Sequence, residues 1–176
     1  GLWITSADAG SRSPLAAGDG EIRGPVVTRS GQVFCVAQTR SGAEIRRFSL
    51  EGAAPRVVVS GLFDPDFAVS PDERFVVYSA LHEGESRLMR ASTSGGAPEA
   101  VTLFPAFTPA YSPDGTKLTY EVADSGSGRG DIWIRDLARG VSSRFTFDAT
   151  ADVAPQWSPE GRRIVYTSRA KGAGDL

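Results

Sequence analysis

The chain has 176 residues, 40% of them apolar and 23% charged, with a net charge of −2. Such a length and composition make a globular domain with a real core and exclude an intrinsically disordered chain. The near-zero, unclustered charge excludes the strong field that draws nucleic acid or an anionic membrane, and no apolar run approaches the roughly 20 residues of a membrane span.

In chain order the same elements come round four times. The first copy begins at the apolar pair Leu2-Trp3, with a second apolar landmark at Leu15. TRSGQVFCVA follows from Thr28, a hydroxyl residue before a turn at Gly31 and a strand through Val33, Phe34 and Val36. Cys35, the single cysteine, lies inside that strand and reads as a buried small hydrophobe; alone it supports no disulfide framework. Ile45-Arg46 and Val58 repeat the landmarks of Leu2-Trp3 and Leu15.

The next copies sharpen the pattern. SPDERFVVYSA starts at Ser70, SPDGTKLTY at Ser112 and SPEGRRIVYTS at Ser158. From Thr28 these turn residues are 42, 42 and 46 apart. The pairs Leu88-Met89 and Ile132-Trp133 continue the series at spacings of 43, 43 and 44. Each pair is followed thirteen residues on by an apolar residue: Leu15, Val58, Val101 and Phe145. The extra length of the last copy falls in SGSGRG, at 125–130, where a hairpin tip lengthens without disturbing a core.

Within a copy the apolar runs are short. In the third they are PAYS, KLTYEV, DIWIRDL and SRFTF, rich in Val, Ile, Tyr, Trp and Thr and separated by Gly, Pro, Asp and Ser. No 3.6-residue period is sustained. Four short antiparallel strands per ~43 residues predict one blade of a β-propeller. Pro71, Pro113 and Pro159 preset φ at the second turn position. Asp72 and Asp114, with Ser70, Ser112 and Ser158, offer side-chain acceptors and donors to nearby backbone, and Gly115 and Gly161 tolerate positive φ. Tyr120, Tyr166, Trp133 and Trp157 are assigned to packing between strands and blades. Asp131 and Asp175 are expected to bond to backbone within a blade.

The predicted organisation is a single all-β domain over 1–176, part of a larger ring. It divides into the C-terminal half of a blade at 1–24, blades at 25–66, 67–108 and 109–152, and the N-terminal half of a blade at 153–176. Leu2 and Leu176 fall on the same landmark, four repeats apart. Closure of the four repeats on themselves is the alternative.

SPDG, an apolar strand ending in Tyr, then Asp-Ile-Trp and Arg-Phe-Thr resemble the TolB-type, WD-like β-propeller repeat. The likeness spans essentially the whole chain and is strongest over 109–176; the copy at 25–58 lacks the turn's Pro and Asp. DIWIRDLARGVSSRFTFD is also similar to propellers behind bacterial serine/threonine kinase domains and in related signalling proteins. The resemblance implies a ring of six to eight blades, with further blades or domains in the same polypeptide. It weighs an extracytoplasmic, periplasmic site slightly ahead of the cytoplasm; no signal peptide is visible at Gly1.

The chemistry-bearing residues are few. There is no Gly-x-Ser-x-Gly elbow. His82 is the only histidine and lies in the polar stretch ALHEGES, read as an ordinary loop residue; one Cys and one His supply no zinc set. SGSGRGD lacks the GK[ST] of a phosphate loop. No catalytic, cofactor or metal residue is therefore assigned. Asp64, Asp66, Asp148 and Asp152 precede predicted inner strands, near one mouth of a channel. They are the candidate binding residues, for a basic partner segment or a hard cation, against the plainer reading that they cap turns.

Three functional readings follow. The first is a non-catalytic module that binds a protein or peptide partner, as sensor or scaffold. The second is the substrate-gating propeller of a prolyl-oligopeptidase-type serine peptidase whose catalytic domain lies outside this chain. The third, chemistry in the channel itself, needs converging His, Arg and carboxylates, and one histidine argues against it.

Overall fold

The computed structural model describes residues 2–5, 12–16, 21–50, 54–63, 65–123 and 130–169. Among them every helix or strand assigned is a strand. The chain divides into two compact units, Gly1–Pro65 and Asp66–Leu176.

In the first unit β1 (Leu2–Thr5) pairs antiparallel with β2 (Arg12–Ala16). Then β3 (Ile22–Val27), β4 (Gln32–Thr39), β5 (Gly42–Ser49) and β6 (Arg56–Leu62) form a four-stranded antiparallel sheet in chain order. The run VFCVA in β4 is buried throughout, as a strand covered on both faces must be. β5 buries Ala43, Ile45 and Phe48 and leaves their neighbours half-covered. Leu2 and Ile22 pack on Val33, Cys35 and Phe48. Fully burying one such large side chain contributes about 1.5–3 kcal/mol.

The second unit repeats the plan. β7 (Phe67–Val69), β8 (Phe75–His82), β9 (Glu85–Ser92) and β10 (Glu99–Ala100) make one antiparallel sheet. β11 (Phe107–Tyr111), β12 (Lys117–Ala123), β13 (Gly130–Asp136) and β14 (Val141–Arg144) make the next. β15 (Asp152–Trp157) and β16 (Ile164–Ser168) form a pair. The first strands lie beside one another, β11 against β7 and β15 against β11, so they are the inner strands of stacked blades. The core between these blades is Val77, Leu88, Ala106, Leu118 and Tyr120. Phe104 packs into it, its ring 6.3 Å from Tyr120 and 5.9 Å from Trp133. The fold is all-β, built of four-stranded antiparallel blades.

The SPDG turns close the first hairpin of each blade. Ser112 O accepts from the Gly115 N–H at 2.9 Å, and Ser112 N–H donates to Lys117 O at 2.9 Å. Ser112 Oγ donates to Asp114 Oδ1 at 2.6 Å and accepts from the Lys117 N–H at 2.9 Å. Ser70 repeats this with Asp72 and Phe75, at 2.6 and 3.0 Å. Ser158 keeps the backbone bonds and takes the Arg163 N–H at 3.1 Å. In the first unit Thr28 does the same work in a turn one residue shorter, its Oγ1 accepting from the Gln32 N–H at 3.1 Å.

Inner strands are bulged. The register shifts between Phe107 and Ala110 in β11 and between Val153 and Gln156 in β15. Thr108 and Ala154 take positive φ of 46° and 54° there, each just before a proline. In the first unit β3 shifts between Arg23 and Val26, with Gly24 at φ 59° before Pro25. A bulge bends an inner strand and re-aims its side chains.

One local expectation is corrected. Asp131 takes a side chain as its partner among the described residues: its Oδ1 accepts from Arg144 Nη2 on the neighbouring strand at 2.8 Å, while Asp175 lies outside the described residues. Arg144 stands opposite Trp133 in the β13–β14 ladder, two residues from Asp131 on the same face, so its guanidinium reaches diagonally to that carboxylate, and a charge-assisted bond outweighs a neutral one.

Candidate functional site

Within the second unit the topology gives each blade two ends. The SPDG turns and the turns between third and fourth strands share one end. The hairpins between second and third strands, and the connections to the next blade, share the other. Of the candidate carboxylates, Asp66, Asp148 and Asp152 belong to this connection end.

The structure separates them. Asp66 and Asp148 are exposed on connections, and the Asp66 carbonyl accepts from the Ser79 N–H at 2.9 Å. Asp152 opens β15 and is fully buried; neither carboxylate oxygen has a hydrogen-bonding partner among the described residues. Asp64 lies outside the described residues. Among those described, no three His, Cys, Asp or Glu side chains are placed to hold a metal ion.

A further acid lies nearby that sequence reading missed. Glu121 on β12 is pushed above the usual carboxylate range, first by burial, against the Arg169 charge and with the help of Asp66. Its side chain lies over Gly130, where a Cβ would sit 2.6 Å from Oε1. The signal was in KLTYEV, an acid set between Tyr120 and Val122 in a strand.

The connection end also carries apolar side chains in water. Leu103, between the second-unit blades, is 79% exposed, and Phe147, on the next connection, is 72% exposed. Leu81, at the tip of the β8–β9 hairpin, is exposed as well. Phe147 lies under the Arg144 guanidinium at 5.0 Å, and Arg144 is in turn held by Asp131 and by the Thr146 carbonyl at 2.8 Å. This ring is thus posed, not loose. Exposed apolar residues grouped with polar ones mark contact surfaces.

His82 ends β8, exposed and paired in register with Glu85. Cys35 is fully buried, and burial pushes its thiol up to about 11. Neither is poised for chemistry. Of the aromatic landmarks, Tyr120 is buried and its hydroxyl donates to Ser142 Oγ at 2.7 Å, while Trp133, Trp157 and Tyr166 are half-buried.

No protein-family model matches the chain. It is 30% identical over 133 residues to an uncharacterized protein of Agrobacterium fabrum, covering 72% of this chain and 44% of that one. It is 34% identical over 68 residues to the Tol-Pal system protein TolB of Alcanivorax borkumensis, covering 39% of this chain and 15% of the relative. An uncharacterized peptidase of Bacillus subtilis, YuxL, is 32% identical over 68 residues, 36% of this chain and 10% of the peptidase. The chain thus spans less than half the length of these curated relatives. Among solved structures, TolB from Acinetobacter baumannii superimposes with a TM-score of 0.81 at 19% identity, over 97% of this chain and 43% of that one. A TolB candidate from Agrobacterium tumefaciens gives 0.78 at 24% identity, over 92% and 59%. A puromycin-hydrolyzing peptidase of Mycobacterium tuberculosis gives 0.71 at 18% identity, over 92% and 28%.

Proposed function

From a chain that carries the TolB-type β-propeller fold, we propose a non-catalytic module that binds a protein or peptide partner through its connection end. The observation that carries this is that Leu103 and Phe147 are both largely exposed on successive blade connections, at the end of the unit that also carries the exposed Asp66 and Asp148. Exposed apolar side chains accompanied by charged ones are what protein contacts are built from. Stiff blades hold such connections with little ordering cost on binding. The partner expected here offers an apolar side chain flanked by basic residues. An extracytoplasmic location accompanies this reading, supported by the likeness to a Tol-Pal system protein.

A photocrosslinking residue placed at Phe147 in the native host tests the proposal. A discrete covalent adduct is expected, reduced in the Leu103→Asp background and absent when the crosslinker sits at Ser143, exposed on the outer strand β14. Adducts of equal yield from both positions, or none from Phe147, would sink it. Cell fractionation tests the location.

The second reading is the substrate-gating propeller of a serine peptidase. The similarity to a Bacillus subtilis peptidase and to a peptidase structure favours it. A hydrolase domain with Gly-x-Ser-x-Gly in the same reading frame would establish it over the first.

A further inference from the structure

In the first unit the outer edge of the four-stranded sheet sets two like charges against each other. Arg47 on β5 stands directly opposite Arg56 on β6 in the antiparallel ladder. Like charges in that position destabilise a strand pair. Arg47 is half-buried and Arg56 exposed, and β6 is the last strand of its sheet.

The next blade shows what this register can hold. Forty-three residues on, the place of Arg47 is taken by Arg90 and that of Arg56 by Glu99. Those two also stand opposite each other. Both Nε and Nη2 of Arg90 donate to Glu99 Oε1, the former at 2.6 Å. Another blade on, the same places hold Ile134 and Ser143, again opposite each other and both uncharged. One blade therefore pairs the charge and the other omits it. The blade of the first unit does neither.

The acid's place stays open there. Among the described residues the side chains of Arg47 and Arg56 form no ion pair and no hydrogen bond. Glu44, the acid of β5, is already held by Arg46, whose Nε and Nη2 both lie 2.7 Å from its Oε2. The approach is also open: residues 54–57 are exposed, and Val57, beside Arg56, is 53% exposed.

We propose that the Arg47–Arg56 pair receives a carboxylate presented by a protein partner, on an aspartate or glutamate with an apolar neighbour. The carboxylate takes the place that Glu99 holds on Arg90, and Arg56 adds a second guanidinium to it. Its charge offsets the repulsion across the ladder, so binding removes a cost that the free chain carries. Val57 gives the apolar neighbour its contact. A rule of charge pairing that two blades keep and one breaks marks a functional place rather than a structural one. This contact lies wholly in the first unit and does not rest on the connection end.

Titration of the isotope-labelled chain with acetyl-Val-Glu-Val-amide, followed by amide NMR shifts, tests it. The same peptide with Gln for Glu is the control, and inorganic phosphate is a separate arm. Saturable shifts confined to residues 45–49 and 54–58 are expected with the Glu peptide, and with neither of the others at the same concentration. Arg56→Gln should weaken binding about tenfold. Arg56→Glu, which installs the arginine–glutamate pair of the next blade, should abolish binding and raise the unfolding midpoint of the chain. An equal response to the Gln peptide or to phosphate, shifts elsewhere, or no saturable shift would each overturn the proposal. So would full binding by the Arg56→Glu chain, or a midpoint that does not rise.

Discussion

The Val101 N–H donates to the Leu88 carbonyl at 2.8 Å, and thirteen residues separate the two. One blade on, the Phe145 N–H donates to the Ile132 carbonyl at the same distance and offset. In these two blades the thirteen-residue offset in the sequence is therefore this bond. The residue after each donor completes it: Thr102 Oγ1 accepts from the Leu88 N–H at 3.1 Å, and Thr146 Oγ1 from the Ile132 N–H at 3.0 Å.

Those two threonines are buried, so removing their hydroxyls leaves a buried N–H without its acceptor. Thr146→Val, nearly the same in shape, should destabilise by about 1–3 kcal/mol. Urea denaturation measures it. A change under a few tenths would mean that another group takes the bond.

Glu73 stands at φ 60°, where the next two turns have Gly115 and Gly161 at φ 72°. A side chain there costs about 1–2 kcal/mol, and glycine returns about 0.5–1 of that through its freer unfolded chain. Glu73→Gly should thus stabilise by up to about 1 kcal/mol. Gly115→Ala should do the reverse, because the same left-handed backbone then carries a side chain, while Pro71 at 3.4 Å leaves room for the methyl group. Paired melts of the two variants decide whether backbone strain sets these turns.

Asp114 titrates at about 2 in the folded chain, below the ordinary aspartate value of about 3.9 in the unfolded one. Its folded value is depressed, so its contribution is present above about pH 4 and is lost as pH falls toward 2. Below pH 4 the unfolded state takes up the proton first. Denaturation curves between pH 5 and 2 should fall more steeply for the natural chain than for Asp114→Asn. Parallel curves would sink the assignment.

The Cys35 thiol, buried and pushed up to about 11, should resist a soluble disulfide reagent at pH 8 and react fully once urea unfolds the first unit. Fast labelling of the folded chain would show that β4 opens readily.

Much of this architecture was legible along the chain because its causes are local. Ser112, Pro113, Asp114 and Gly115 meet within one turn, so their spacing announces the bond pattern. The thirteen-residue offset repeats because a hairpin of constant length returns Val101 to Leu88. The bulges had a signal that went unread: a proline three residues before the turn hydroxyl, at Pro25, Pro109 and Pro155, each after a residue of positive φ.

The sequence by itself determined the all-β blades, their repeat and the chemistry of each turn, since hydrogen bonds between residues fewer than about fifteen apart dictate those. Only the tertiary structure decided that Asp152 is buried while Asp66 and Asp148 face water, and that Asp72 and Asp114 share one cleft. Those outcomes depend on how one blade's face meets the next. That contact joins side chains some forty residues apart, and their identities carry no mark of which neighbour covers them.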